Sequence, residues 1–400
     1  MLNRFTKKEW CYLLILAGVQ FSHILDFVIM MPLGPQLMRA FDIDVGSFSL
    51  LVSVYTFAAA LSCFTASFAM DFFDRKRILT AVYTGLVVGT FLCGVAPSFT
   101  FLLIARSVTG IFGGLLQAVI LSALADLIAP DKRGQATGIV LSAFAVSSVM
   151  GVPLGLAMAN LWGWQSPFII LGCFSLVNLL FVQKAIPRLS EHVSERISGH
   201  VLANFSHLTR HGNTLVAAAL TVSMMTTFAM FPFVSPYLVG VLGIKETQLP
   251  EIYLAGGLAS LIAAPVLGRL SDRFGARPVF VCCSALSIAG VLAFTHMPYG
   301  SYVLMIFLNM VVAALGSGRM TPYMELLNRS VPSEMRGGFM TLIAAVQQIS
   351  ASAASYVGGM ILNAEKGLEN FVLIGWVVGV SMLVSIAISY CLRPVQWQTT

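Results

Sequence analysis

Long apolar runs recur along the whole chain, each bounded by a short cluster of charged, Gly or Pro residues. The pattern predicts helices near 10–37, 45–70, 77–96, 98–128, 134–160, 165–186, 213–240, 247–270, 277–297, 300–328, 335–363 and 368–392. Each run is long enough to cross a bilayer, which takes about 20 mostly apolar residues. Twelve such crossings need about 240 residues, and 58% of the 400 residues are hydrophobic. The first run, from Trp10 to beyond Met31, follows Arg4, Lys7 and Lys8. It is too long for the core of a signal peptide, and no small-residue cleavage site closes it. It reads as the first spanning helix.

Composition narrows the picture further. Charged residues make up 10% of the chain, against roughly 25% in soluble proteins. That excludes a soluble enzyme, and equally a disordered or fibrous chain. The net charge of +6 bears on membrane sidedness rather than on nucleic acid, and no nucleic-acid partner is expected. With both termini in the cytoplasm, the inner segments carry eighteen of the 23 Lys and Arg residues and the outer segments three, Arg39, Lys245 and Lys366. Cytoplasmic loops of membrane proteins carry this excess. The other two, Arg106 and Arg319, fall inside helices. The seven cysteines show no metal-ligand spacing and read as small buried thiols.

One connection differs from the rest. Residues 187–212 are polar and hold four of the six histidines, His192, His200, His207 and His211. Their spacing only partly fits one helical face, so a solvated cytoplasmic linker is expected there rather than a metal site. The linker divides a repeat. Asp71 and Asp272 stand 201 residues apart, as do Pro35 and Pro236, and Pro130 and Pro332 stand 202 apart. The expected organisation is a six-helix bundle over 1–186, a linker over 187–212 and a second six-helix bundle over 213–400. Parallel repeats about an axis along the membrane normal are a transporter design.

On these residues the chain resembles the major facilitator superfamily over essentially its whole length, and in particular its twelve-helix drug/proton antiporter and sugar-efflux branch. The loop after helix 8 carries that family's motif in Gly268, Asp272, Arg273, Gly275 and Arg277. The loop after helix 2 carries a weaker copy in Asp71, Arg75 and Lys76, with Ser67 and Asp74 at the glycine positions. Arg106 with Gly110 resembles the arginine motif of helix 4. Gly151-Val152-Pro153-Leu154-Gly155 is similar to the Gly-Pro motif of antiporters on helix 5. The resemblance implies an all-α membrane fold of twelve helices in two pseudo-symmetric bundles. It also implies that Asp71, Arg75, Asp126, Arg133, Gly151, Pro153, Gly155, Gly268, Asp272, Arg273, Gly275, Arg277 and Arg336 govern gating between conformations, with Asp126 as a partner of Arg75.

The intramembrane polar residues carry the candidate chemistry. Asp26 lies near the middle of helix 1, where a carboxylate costs about 2.5–3.5 kcal/mol on insertion scales. Such a group either carries a proton or meets a ligand, or pairs statically with a neighbouring helix. Ser22 and His23 share its face. Asp26 has no acidic counterpart in the second half, where position 227 is Thr, and Arg106 corresponds to Asn309. Arg106, Gly110, Gly113 and Gln117 share one face of helix 4. The resemblance implies that Arg106 communicates with a titrating acid on helix 1; otherwise it is a polar anchor. On helix 10, Arg319 has no local acid, and Tyr323 lies one turn on. It is read as a contact for an anionic group, an interhelical pair or a snorkelling charge. Asp26, His23 and Arg106 are the candidates for proton coupling; Ser22, Tyr55, Gln117, Asn309, Tyr323 and Gln348 join Arg319 as cavity candidates, and the Met- and Phe-rich run of helix 7 lines a cavity or faces lipid.

The function expected is secondary active transport by alternating access, with proton-coupled efflux of a small organic compound foremost. Proton-coupled uptake of an anionic metabolite or metal chelate is the alternative, together with lipid translocation. No Gly-x-Ser-x-Gly, His-Glu-x-x-His or phosphate-binding glycine loop occurs, which argues against an enzyme or an ATP-driven pump. No cofactor is expected beyond the proton gradient. A monomer in the cytoplasmic membrane is the expected working form.

Overall fold

The computed structural model describes residues 5–69, 74–187, 212–297, 301–332, 336–363 and 367–392, and these form helices without any strand. Asp71 and the four histidines of the linker lie outside the described residues. The chain divides into two compact units, Met1–Ile43 with Leu50–Arg196, and Asp44–Ser49 with Ile197–Thr400.

The first six spans are Lys7–Ile29 with Gly34–Phe41, Val45–Ala69, Arg75–Gly94, Phe99–Leu127, Arg133–Leu141 continuing to Trp162, and Ser166–Ala185. The next six are Gly212–Met225 continuing to Gly240, Leu249–Phe274, Ala276–Thr295, Tyr302–Gly318 with Met320–Asn328, Arg336–Leu362 and Phe371–Cys391. Eleven of them are long and apolar enough to cross a membrane. The eleventh span, Arg336–Leu362, has the length at 27 residues, but Gln347, Gln348, Ser350, Ser352 and Ser355 dilute its apolar character.

Four spans are interrupted, each at a proline, which has no N–H for the carbonyl four residues earlier. Span 1, expected near 10–37, stops at Ile29 and restarts at Gly34, around Pro32 and Pro35. In span 7 two 3-10 turns, Thr226–Ala229 and Phe231–Phe233, surround Pro232. In span 10 Pro322 takes the donor from Gly318, and the helix breaks at Arg319. In span 5 Pro153 cannot serve Val149. The strand of hydrogen bonds widens into a π-turn over Ser147–Gly151, with the Val152 N–H donating to the Ser147 carbonyl.

Each unit has its own core. In the first, Leu13, Leu16 and Val19 pack with Tyr83, Leu86, Leu116, Val119 and Val182. In the second, Leu220 and Met224 pack with Phe280, Leu327, Phe339 and Ile343. Met224, Met225, Met230 and Phe233 of span 7 are buried, so these side chains do not face lipid. The outward faces are apolar as well, with Ile104, Val177 and Phe181 exposed on one unit and Ile262, Val303 and Leu383 on the other. Such a surface suits hydrocarbon. For the same reason the cysteines are not all buried as expected: Cys93 and Cys283 are, while Cys11, Cys173, Cys282 and Cys391 are exposed. A thiol is apolar enough to sit on an outer face that lipid covers.

Candidate functional site

Asp26 is completely buried in the first unit and is held from two neighbouring spans. The Thr90 hydroxyl of span 3 donates to Asp26 Oδ1 at 2.8 Å. Arg106 Nη1 of span 4 donates to Asp26 Oδ2 at 2.9 Å and to the Asp26 backbone carbonyl at 3.1 Å. Small residues make this convergence possible. A methyl group added at Gly89 would strike the side chain and backbone of Thr109, so the missing side chain lets spans 3 and 4 close up beside Thr90. On span 4, a methyl at Gly110 would meet the Tyr55 carbonyl, and one at Gly113 would meet the Tyr55 hydroxyl.

Tyr55 therefore lies against span 4, with its ring 4.4 Å from the Arg106 guanidinium carbon. Its other face stacks on Phe27, centroid to centroid at 5.0 Å. A cation against an aromatic face is attracted by the ring quadrupole, so Tyr55 steadies the charge that faces Asp26. Four buried polar atoms around this pair make no hydrogen bond among the described residues: Arg106 Nε, Arg106 Nη2, the Tyr55 hydroxyl and His23 Nδ1. The site joins one acid, one fixed cation and a set of polar atoms with capacity to spare. A change in the charge of Asp26 would alter what Arg106 holds.

Other predicted residues have quieter places. Ser22 is one turn from Asp26, yet its hydroxyl bonds the Gly18 carbonyl and the Tyr83 hydroxyl. Asn178 completes that knot by donating to Tyr83 and to the Ile15 carbonyl. Ser22 thus ties spans 1, 3 and 6 together instead of standing open as a cavity group. Gln117 is exposed and accepts from Gln20 at 3.5 Å. Gly151 and Gly155 of span 5 close onto span 1, where added methyls would meet Leu25 and Ile29. The Ser147 hydroxyl donates to the Phe21 carbonyl at 3.3 Å, so the π-turn before Pro153 lies against the helix that carries Asp26.

In the second unit the position corresponding to Asp26 is Thr227, and it too meets an arginine. Arg319 Nη2 donates to Thr227 Oγ1 at 2.6 Å. This joins the interrupted segments of spans 7 and 10. Arg319 is 3% exposed, which excludes a snorkelling charge. Asn309, the counterpart of Arg106, donates to the Ile252 carbonyl at 3.0 Å and packs on Gly256. It serves helix packing rather than a cavity. Tyr323 is buried and shares a hydrogen bond with Thr221 at 2.8 Å. Its second partner is Gln347 at 3.3 Å, and not Gln348, which is half-buried on the next position.

The loop motifs engage their own units. Arg75 pairs with Asp126 and also reaches the Ser122 carbonyl at 3.3 Å. Lys76 donates to the Gln183 carbonyl at the end of span 6. Its counterpart 201 residues on, Arg277, donates to the Leu392 carbonyl at the end of span 12. Arg133 likewise caps span 4 at the Ile128 carbonyl. These cations satisfy last-turn carbonyls and complement the negative helix end, a fixed role within each unit that the gating expectation did not include. Gly275 follows span 8 at φ +90°, where its N–H caps the Ser271 carbonyl and a side chain would be strained. Asp272 and Arg273 are exposed, and Gly268 and Arg336 half-buried. Sequence reasoning missed Glu325, which accepts from Ser271 at 2.7 Å and pairs with Arg329 at 2.5 Å. Among the described residues no group of His, Cys, Asp or Glu could hold a metal ion.

Comparison with known proteins agrees with this architecture. The sequence model of the Major Facilitator Superfamily matches residues 16–262 and 216–396. A Bacillus subtilis (strain 168) protein described as the uncharacterized MFS-type transporter YceJ is 23% identical over 343 residues, covering 85% of this chain and 86% of its own. Among solved structures, a bacterial homologue of the human lysosomal transporter Spinster aligns with a TM-score of 0.81 at 16% identity, covering 99% of this chain and 100% of that one. A D-xylose–proton symporter aligns with a TM-score of 0.80 at 14% identity, covering 96% and 98%. The chain is a multi-pass membrane protein that belongs to the Major Facilitator Superfamily.

Proposed function

We propose that this transporter couples the export of a small organic compound to the entry of protons, with Asp26 as the proton-carrying group. As a member of its family it is a secondary transporter and not an enzyme. The observation that carries the proposal is the buried carboxylate of Asp26, bonded on one side by Thr90 and on the other by Arg106. While ionised, it neutralises the guanidinium. Once protonated, it releases most of that attraction and leaves Arg106 to find other acceptors. Two charge states with different internal bonding favour different conformations, and a proton taken from one side and given to the other biases the alternation. The proton gradient serves as the energy source, with no cofactor.

The direction of transport rests on the resemblance of the Gly-Pro segment of span 5, Gly151 to Gly155, to the motif of antiporters; its π-turn and glycines pack on the helix carrying Asp26. Uptake of an anionic metabolite or a metal chelate is the second reading, favoured by the buried Arg319. The positive-inside count supports cytoplasmic termini in the cytoplasmic membrane, and the protein works as a monomer. The test is solute accumulation in cells expressing the wild type, Asp26→Asn or an empty vector, read by mass spectrometry over drugs, sugars, organic acids and chelates. Lower internal levels of a compound are expected with the wild type only, and a protonophore should abolish the difference. Higher internal levels would reverse the direction.

A further inference from the structure

We propose that Arg319 is an anchor for an anionic group of the transported solute, a carboxylate or phosphate. This deepens the transport reading and rests on it for the identity of the solute. Arg319 is 3% exposed and sits in the break between the two helical segments of span 10. Among the described residues its guanidinium makes one hydrogen bond, to a neutral hydroxyl, that of Thr227. Its Nε and Nη1 atoms are buried and make no hydrogen bond among the described residues. Among the described residues no ion pair reaches it, whereas the corresponding site of the first unit gives Arg106 a carboxylate. Phe231 and Leu267 pack against the neighbouring Gly316 and Gly318.

A guanidinium remains charged at physiological pH, and a buried charge without a counter-charge is costly to retain. Nε and Nη1 lie on different edges of the guanidinium, each beside an Nη2 hydrogen, and the edge that Thr227 leaves open is a fork that takes two oxygens of one carboxylate or phosphate at once. Thr227 holds the third nitrogen, so it orients this fork without neutralising it. The helix interruption contributes too: Pro322 offers no N–H to the Gly318 carbonyl, and Arg319 is the residue between the two helical segments of span 10. Arg106 has spare nitrogens as well, but its charge is already matched by Asp26; Arg319 is the buried cation whose charge is left for a ligand.

The chemistry is shared by a soluble organic anion and by an anionic lipid headgroup, and we assign the site to the solute. The test uses the full-length protein in phosphatidylcholine nanodiscs, with thermal unfolding followed at increasing sodium acetate or sodium phosphate. Ionic strength is held constant with chloride, and acetamide is the neutral control. The wild type should show a saturable rise in unfolding temperature with one of the two anions and none with acetamide. Arg319→Gln should lose that rise, and Arg319→Lys, which keeps the charge without the fork, should need at least tenfold more anion. Asp26→Asn should keep the rise, so a failure of proton coupling and a failure of anion binding give different results. Replacing half the lipid with phosphatidylglycerol should leave the response in place. No saturable response in the wild type would overturn the proposal, and so would its persistence in Arg319→Gln. Its disappearance in phosphatidylglycerol would overturn the assignment to a solute. If Arg319→Gln does not fold, the Arg319→Lys comparison decides, an unchanged anion requirement counting against the fork.

Discussion

Asp26 and Arg106 form a buried pair, and the physics of such pairs is asymmetric. Removing one partner leaves an uncompensated charge, at a cost of about 3–5 kcal/mol, while removing both can be close to neutral. Arg106→Gln should therefore lower the unfolding temperature more than the double variant Asp26→Asn/Arg106→Gln, and a double-mutant cycle on thermal unfolding checks this. Tyr55 adds to the pair through its ring rather than its hydroxyl, which bonds nothing among the described residues. Tyr55→Phe should consequently stay near the wild type, whereas Tyr55→Leu should lose about 0.5–2 kcal/mol of stability. If the phenylalanine variant falls as far as the leucine one, the hydroxyl matters and the cation–ring account fails. Both charged residues were legible in the sequence, because a lone acid or arginine in a long apolar run stands out. Thr90 and the stacking of Tyr55 on Arg106 were not. A threonine costs little anywhere in a spanning helix, so its presence carries no signal until the fold brings it to Asp26.

Glycines set how closely the spans approach, and their neighbours decide how much each one matters. A methyl at Gly110 would meet the backbone carbonyl of Tyr55, which cannot move without moving span 2. One at Gly155 would meet the tip of the Ile29 side chain at 2.7 Å, which can rotate away. Gly110→Ala should cost about 1–3 kcal/mol as overpacking, and Gly155→Ala distinctly less, by chemical or thermal unfolding of the purified protein. Equal losses would mean that spans 1 and 5 are as rigidly apposed as spans 2 and 4. The interruptions at this scale were only half legible. Pro32, Pro153, Pro232 and Pro322 mark every one of them, but an apolar run reads the same whether its backbone is helical throughout or broken inside. The second unit shows why the breaks matter, since the broken segments of spans 7 and 10 are the ones Thr227 and Arg319 join.

For the molecule as a whole, the twelve-helix pattern and the repeat were readable because each span must be apolar along its length and each half repeats its loop motif. The asymmetry of charge was readable as well, since Thr227 stands where the first half has Asp26; what the repeat did not show is the pairing that follows, an acid with a cation in one unit and a cation with a hydroxyl in the other. The Arg75–Asp126 pair, where span 3 begins and span 4 ends, should influence conformational balance more than binding. Asp126→Arg is expected to slow transport, and adding Arg75→Asp to restore it, measured as solute efflux. Export of a monoanion against one entering proton would move two charges per cycle. A potential of 100 mV would then contribute about 4.6 kcal/mol, twice the figure for one charge. Efflux from cells or vesicles should thus rise with an imposed potassium–valinomycin potential of the matching sign, and an electroneutral cycle would show no response. The most direct measurement compares solute exchange with gradient-driven accumulation in proteoliposomes containing the wild type or Asp26→Asn. The account predicts that Asp26→Asn still exchanges labelled for unlabelled solute across the membrane but no longer accumulates it in response to a pH gradient. Accumulation by Asp26→Asn equal to that of the wild type would contradict it.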